Sequence, residues 1–269
     1  MTEDRSILSR PAPTPDLQVR YGGHPDQVGD VFLPSPLAAP ATLVLAWHGG
    51  FWEQRYDRSH LAPIARALAE AGQVVVSVEY RRVDRDDGGD GWQATLDDVA
   101  AACEQLPRLI ADAVPLAVAT HADGEPRTLV IGHSAGGQLA LWAATSCPPR
   151  GLVAAVALAP VADLAMAWQL GLGDGAVTAW LGGGPADVPD RYAASDPAAL
   201  PAPRVPTTVF HGRADSVVPI ELSRRYVQRV QGAPGSSVQL VEPGCGHFEL
   251  IDPAPDHPFP LIREKTSGF

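Results

Sequence analysis

The residue best placed for nucleophilic chemistry is a serine in a tight turn bounded by glycines. Residues 128–137 read T-L-V-I-G-H-S-A-G-G, so Ser134 stands between Gly132 and Gly136 in the pattern G-x-S-x-G. An apolar run precedes the turn and an apolar helical stretch follows it, which is the strand–turn–helix context that this motif needs. Side chains at the two glycine positions would collide with the neighbouring strand and helix. The pattern predicts a nucleophile at Ser134; the alternative is a serine that only caps the helix.

A serine hydroxyl is a weak nucleophile at neutral pH and needs a base, usually a histidine that a carboxylate orients. Asp215 comes five residues after the predicted strand Val205–Phe210, and His247 comes six residues after the predicted strand Ser236–Val241. Both therefore belong on loops at the edge of the sheet where Ser134 lies. The order Ser, Asp, His is also the order found in one large hydrolase architecture. These three residues are the predicted catalytic set.

Two other residues compete for these roles. Asp163 follows the predicted strand at 152–159 and is an alternative acid. Asp215 is favoured because its turn faces His247 across adjacent loops and leads into a helix that begins with Pro219. Cys245 neighbours His247 and could suggest a cysteine nucleophile, although no elbow surrounds it. We therefore favour Asp215 as the acid and discount Cys245.

The elements that must position these residues alternate between strands and helices. Leu17–Tyr21 and Val28–Leu33 predict an antiparallel hairpin at one edge of a sheet. Apolar strands separated by amphipathic helices then predict parallel crossover units. The predicted fold class is α/β, with a mostly parallel central sheet and helices on both faces. The apolar strands are predicted at 42–46, 74–78, 129–131, 152–159, 205–210 and 236–241.

The domain organisation follows from composition along the chain. Residues 1–16 are rich in proline and predict a loose extended arm, and residues 17–269 predict a single domain. Residues 163–200 predict a small helical, cap-like insertion over the top of the sheet. Within it Gly171, Gly173 and Ala176 match a dinucleotide fingerprint, but no strand precedes them. The acidic stretch at 84–90 lacks the calcium-loop pattern and is interpreted as a solvated loop.

Composition and charge bound the function classes. The chain has 269 residues, 45 % of them hydrophobic, and a net charge of −11, which argues against binding nucleic acid or anionic membranes. Three widely spaced cysteines favour free thiols in a reducing compartment. No signal core follows the first residues, and the longest apolar run, residues 152–159, is too short to cross a bilayer. We expect a cytoplasmic protein without metal or other cofactor, and the sequence leaves a homodimer open.

Four motifs together resemble those of the α/β-hydrolases and, within that fold, the kynurenine formamidase and small carboxylesterase group. They are H-G-G-F-W at 48–52, G-H-S-A-G-G at 132–137, H-G-R-A-D at 211–215 and G-H-F-E at 246–249. The resemblance covers residues 28–252. It implies an oxyanion hole made of the backbone N–H groups of Gly50, Phe51 and Ala135, which would stabilise the charge that develops in acyl transfer.

The resemblance implies a serine hydrolase that cleaves small esters or aryl formamides through an acyl-enzyme. Phe51 beside the oxyanion hole should narrow the acyl site. Trp52, Trp168 and Trp180 either line an acyl or aryl pocket or fill the core. Two alternatives remain. One is a peptidase of the prolyl-oligopeptidase type, although this sequence is too short to include the propeller domain usual in that family. The other is a non-catalytic binding protein with the hydrolase fold.

Overall fold

Eight strands form one sheet in the computed structural model, which describes residues 3–36, 39–84 and 91–267. The acidic residues interpreted above as part of a solvated loop lie mostly outside the described residues, at 85–90. The strands are β1 Leu17–Arg20, β2 Val28–Phe32, β3 Leu43–Trp47, β4 Val74–Val78, β5 Thr128–His133, β6 Leu152–Leu158, β7 Thr207–Phe210 and β8 Val238–Val241.

The sheet has the order β1-β2-β4-β3-β5-β6-β7-β8. β1 pairs antiparallel with β2, and β2 pairs antiparallel with β4, which confirms the predicted edge hairpin. All remaining neighbours are parallel, which confirms the predicted mostly parallel sheet. β3 and β5 are direct neighbours, with Trp47 opposite Gly132. The loops that follow these two strands therefore start side by side at the carboxyl edge of the sheet, where α/β proteins form their sites.

Helices cover both faces because side chains on the central strands alternate between two buried clusters. Leu43 and Leu45 of β3 join the cluster on one face, whereas Val44 and Ala46 join the cluster on the other. Burial on both faces explains why these strands are almost entirely apolar. The helices are α1 Ala62–Glu70, α2 Trp92–Ala113, α3 Ala135–Ser146, α4 Leu164–Gln169, α5 Leu172–Leu181, α6 Pro189–Ser195, α7 Glu221–Gln231 and α8 Phe259–Thr266.

The segment between β6 and β7 consists of the three short helices α4, α5 and α6. Side chains of α3 bind it from below: Gln138 Nε2 donates to the Ser195 carbonyl and Trp142 Nε1 donates to the Ala194 carbonyl, both at 2.8 Å. The glycine cluster that resembles a dinucleotide fingerprint follows helix α4 rather than a strand, and Gly171 and Gly173 have φ values of 63° and 60°. The cluster therefore forms left-handed turns at the start of α5, where Gly173, Asp174 and Gly175 depart from helical φ and ψ values.

Residues 3–16 of the N-terminal arm contain one 3-10 turn, at Ser6–Ser9. This part of the arm is not loose: Ile7 is buried in the apolar cluster that contains Val44 and Ala46, and the Arg10 guanidinium makes two hydrogen bonds to the Asp252 carboxylate, at 2.9 and 2.8 Å. The prediction of a loose arm rested on proline content, which restricts the backbone but does not prevent packing. Among the described residues, no helix is both long and apolar enough to span a membrane.

Candidate active site

Ser134 lies on a strained turn between β5 and α3. Its φ of 57° and ψ of −119° fall in a region that costs an L-residue about 1–3 kcal/mol. A Cβ on Gly132 would overlap the Gly136 carbonyl, and a Cβ on Gly136 would overlap the Trp47 carbonyl. Both glycines are therefore required for the close approach of α3 to strands β5 and β3. The Ser134 side chain makes no capping hydrogen bond to α3, which argues against the purely structural alternative.

The structure brings Asp215 and His247 together. His247 Nδ1 lies 2.7 Å from Asp215 Oδ2, and both side chains are almost completely buried. The other carboxylate oxygen accepts hydrogen bonds from the backbone N–H groups of Val217 and Val218, each at 2.8 Å. With the acid as acceptor, the proton of the histidine sits on Nδ1, and Nε2 presents a lone pair. A histidine held in this way can act as a base.

Asp215 stays ionised although it is buried. Burial disfavours the charged form, but the hydrogen bonds from His211 and His247 outweigh it, so the pKa of Asp215 falls well below its usual value. His211 Nε2 lies 3.3 Å from Asp215 Oδ2, and its Nδ1 lies 2.7 Å from the Ser223 hydroxyl. A fixed negative charge at this position can stabilise an imidazolium at His247.

His247 lies beside the serine turn. Its ring centroid is 4.5 Å from that of His133, the residue before Ser134, and His133 Nε2 is 3.1 Å from the His247 carbonyl oxygen. Within the described part of the chain, neither Ser134 Oγ nor His247 Nε2 is engaged in a hydrogen bond. Both atoms are thus available to a substrate, and catalytic hydrogen bonds commonly tighten only when substrate is bound.

The loop after β3 presents three consecutive residues with positive φ. Gly50, Phe51 and Trp52 have φ values of 108°, 52° and 59°. The loop presses against the serine turn, because a Cβ on Gly49 would lie 2.9 Å from the Cβ of Ser134. Over residues 3–36, 39–84 and 91–267, the N–H groups of Gly50, Phe51 and Ala135 donate to no protein acceptor. Free, preoriented amides are what an oxyanion hole requires.

A buried polar network holds this loop, and two of its residues, Glu79 and Tyr80, were not identified from the sequence. His48 Nε2 lies 2.8 Å from Glu79 Oε1, the Tyr80 hydroxyl donates to the His48 carbonyl at 2.8 Å, and the His48 and Tyr80 rings stack. Burial opposes ionisation of Glu79, but His48 and Arg82 outweigh it and lower its pKa below the usual value. The available signal was a carboxylate and a tyrosine directly after the buried strand β4.

The three tryptophans occupy different environments. Trp52 and Trp180 are fully buried, and the Trp168 side chain, 39 % exposed, lies against Gly184. The buried pair therefore forms part of the core in this conformation. Contact of any of the three with a substrate stays a prediction, and Trp168 is the one whose side chain is exposed to solvent.

The competing residues have other contacts. Asp163 accepts a hydrogen bond from Met166 N at 2.7 Å, which caps α4, and pairs with Arg225 at 3.1 Å. Burial raises the pKa of the Cys245 thiol to about 12, so the thiolate needed for nucleophilic attack is scarce.

Among the described residues, no group of three or more acidic, histidine or cysteine side chains is arranged to hold a metal ion.

This architecture, with a serine elbow after the central strand and an acid and a histidine after later strands, is that of an α/β-hydrolase. Residues 29–230 match the BD-FAE family, and the chain belongs to that family.

Curated relatives match parts of the chain. A stretch covering 50 % of it is 34 % identical to a part of the non-reducing polyketide synthase Preu3 of Preussia isomera. A stretch of 51 residues is 43 % identical to a part of the esterase LipC of Mycobacterium tuberculosis and covers 18 % of this chain. These alignments span 5 % and 13 % of the two proteins' own lengths.

Solved structures share the whole fold. A truncated form of a carbohydrate esterase from gut microbiota superposes on 95 % of this chain and 98 % of its own, with a TM-score of 0.74 and 19 % sequence identity. At this identity the similarity establishes the common fold.

Proposed function

We propose that this chain is a serine esterase that hydrolyses small acyl esters through a covalent acyl-enzyme. The observation that carries the proposal is the buried hydrogen bond between Asp215 and His247, formed beside the strained turn of Ser134. Strain of this kind persists only where the surrounding structure enforces it, and such residues cluster at functional sites. The family match and the esterases among the relatives support the same class of reaction.

In the first half-reaction Ser134 Oγ attacks the ester carbonyl carbon while His247 Nε2 takes the hydroxyl proton. Asp215 holds the imidazole in the required tautomer and stabilises the imidazolium. The carbonyl π electrons move to oxygen, and the amides of Gly50, Phe51 and Ala135 stabilise that oxyanion. Each such donor contributes about 3–4 kcal/mol.

The tetrahedral intermediate collapses when His247 gives its proton to the leaving alcohol. The carbon–oxygen bond to that alcohol breaks, and the acyl group remains on Ser134. Water then repeats the sequence with His247 as base, which releases the acid and regenerates the serine. No metal or other cofactor takes part in this scheme.

The acyl group is proposed to be short. Phe51 follows the oxyanion glycines, and Gly173 of the inserted segment is so close that a Cβ there would lie 2.8 Å from the Phe51 ring. A ring packed in this way restricts the space beside the oxyanion hole. Acetylated sugars are the first substrate candidates, because a carbohydrate esterase shares the fold. Aryl formamides are the second, because a formyl group fits the same narrow space.

The test is kcat/KM across p-nitrophenyl acetate, butyrate and octanoate, together with an acetylated xylose and N-formylkynurenine. We expect a maximum at acetate, since each methylene in a restricted pocket changes discrimination by about 1–3 kcal/mol. Phe51→Ala should move the maximum to longer chains. A maximum at octanoate in the unmodified protein would contradict the narrow site, and no turnover of any ester would favour a binding protein.

A further inference from the structure

One carboxylate of the N-terminal arm bridges the loops that carry the proposed acid and base. Glu3 Oε1 accepts hydrogen bonds from the backbone N–H groups of His247 and Phe248, the second at 3.4 Å. Glu3 Oε2 accepts from Ser216, from its backbone N–H at 3.2 Å and from its hydroxyl at 2.9 Å. Since Ser216 follows Asp215, a single side chain ties both loops together.

The arm is fastened along the same segment, so Glu3 is held in place. The Arg5 guanidinium lies over the Phe248 ring, 5.5 Å from its centroid. Ile7 is buried in the cluster that includes Phe248, and Arg10 binds Asp252. The arm thus contacts three residues of the short segment that begins at the proposed base: His247, Phe248 and Asp252.

The sequence around the histidine accommodates this carboxylate. A Cβ on Gly246 would overlap Glu3 Oε1, so the glycine before His247 permits the close approach. Hydrogen bonds from amides to an ionised carboxylate are roughly twice as strong as neutral ones. They act on the backbone of His247, whereas Asp215 acts on its ring. The two contacts together fix both the position and the orientation of the imidazole.

We propose that Glu3 is a positioning residue that holds His247 at the distance from Ser134 required for proton transfer. The inference rests on the proposed function, and it assigns to the arm a role in turnover. Misplacing a catalytic group by about 1 Å can reduce a rate a hundredfold. The loss of Glu3 should therefore reduce kcat and leave the substrate contacts that set KM nearly unchanged.

The experiment compares Glu3→Ala and Glu3→Gln with Asp4→Asn in the full chain. Asp4 is a matched control, because its carboxylate accepts from Ser6 N at 2.8 Å within the arm. With p-nitrophenyl acetate we expect Glu3→Ala to lower kcat about tenfold or more, Glu3→Gln to have an intermediate effect, and KM to change less than about twofold. Asp4→Asn should match the unmodified protein.

Two further measurements make the result decisive. Thermal unfolding shows whether each variant is folded at the assay temperature, and the rate of labelling by a fluorophosphonate reports on the serine–histidine step directly. A folded Glu3→Ala protein with kcat and labelling rate within twofold of the unmodified protein would overturn the inference. If Glu3→Ala does not fold, Ser216→Ala decides: we expect a lower kcat, and an unchanged kcat overturns the inference. An inactive unmodified protein would instead refute the proposed function.

Discussion

The indole rings of Trp52 and Trp180 stack with centroids 4.4 Å apart and planes 5° from parallel. Trp52 is the last of the three positive-φ residues in the loop after β3, and Trp180 belongs to α5 of the segment between β6 and β7. Trp52 Nε1 donates to Gln138 Oε1 at 3.1 Å, and Trp180 Nε1 donates to Thr95 Oγ1 at 3.2 Å. The stack therefore joins the loop and the insertion to the helices beneath them.

Removing one ring should weaken both stability and catalysis. We expect Trp180→Ala to lower the free energy of unfolding by about 3–5 kcal/mol, because it opens a cavity at a fully buried position. The strained loop loses its support, so kcat for p-nitrophenyl acetate should fall as well. Trp180→Phe keeps a stacked ring and serves as the control with smaller losses. Denaturant titration measures the loss of stability, and steady-state kinetics measure the loss of activity. An unchanged kcat in folded Trp180→Ala would show that the ring stack does not support catalysis.

The choice of acid makes a second prediction. Asp215→Asn should reduce kcat on the order of 10⁴-fold, because the amide no longer fixes the tautomer of His247 or stabilises its cation. Asp163→Asn should have a far smaller effect, since Asp163 caps α4 and binds Arg225. The kcat values of both variants are compared below their unfolding temperatures. A larger loss in Asp163→Asn than in Asp215→Asn would assign the acid to the earlier loop.

A third prediction concerns the pH dependence of stability. Burial, with a contribution from the charge of Asp163, raises the pKa of Asp196 to about 6 from its model-compound value of 3.8. Because the folded-state pKa exceeds the unfolded one, the folded state binds this proton more tightly. The contribution of Asp196 to stability is therefore greatest below about pH 4, falls as pH rises to about 6, and is constant above that.

The measurement is the free energy of unfolding of the unmodified protein and of Asp196→Asn from pH 4 to 7. From pH 4 to 7 the free energy of unfolding of the unmodified protein should fall by about 2 kcal/mol relative to that of Asp196→Asn, because each pKa unit corresponds to about 1.4 kcal/mol and pH 4 already lies above the unfolded-state pKa. Asp190→Asn, at an exposed position of α6, is the control for removing one carboxylate from the same part of the chain. A difference between Asp196→Asn and the unmodified protein that stays constant from pH 4 to 7 would contradict a raised pKa of Asp196.

The sequence was sufficient for the parts of the site that local rules determine. The turn at Ser134 could be predicted because sterics require glycine at both flanking positions and an apolar strand before them. The loops of Asp215 and His247 could be predicted because each follows an apolar strand, and parallel strands end at one edge. The same alternation of strands and helices predicted the sheet.

Contacts between distant segments could not be predicted in this way. The hydrogen bond between His48 and Glu79 joins residues 31 positions apart, and the contact of Glu3 with His247 joins residues 244 positions apart. Nothing in the local sequence around Glu3 distinguishes it from any other acidic residue of the chain. The tryptophans show the same limit, because the type of a residue does not determine whether its ring faces a pocket or another ring.

The most direct test of the account is the site of covalent modification by a fluorophosphonate. We expect one adduct per chain in the unmodified protein, located on Ser134 by peptide mass spectrometry. Ser134→Ala should give no adduct and no esterase turnover, with nearly the same unfolding temperature, because the side chain makes no capping hydrogen bond. An adduct on another residue, or labelling that persists in Ser134→Ala, would contradict the assignment of Ser134 as the nucleophile.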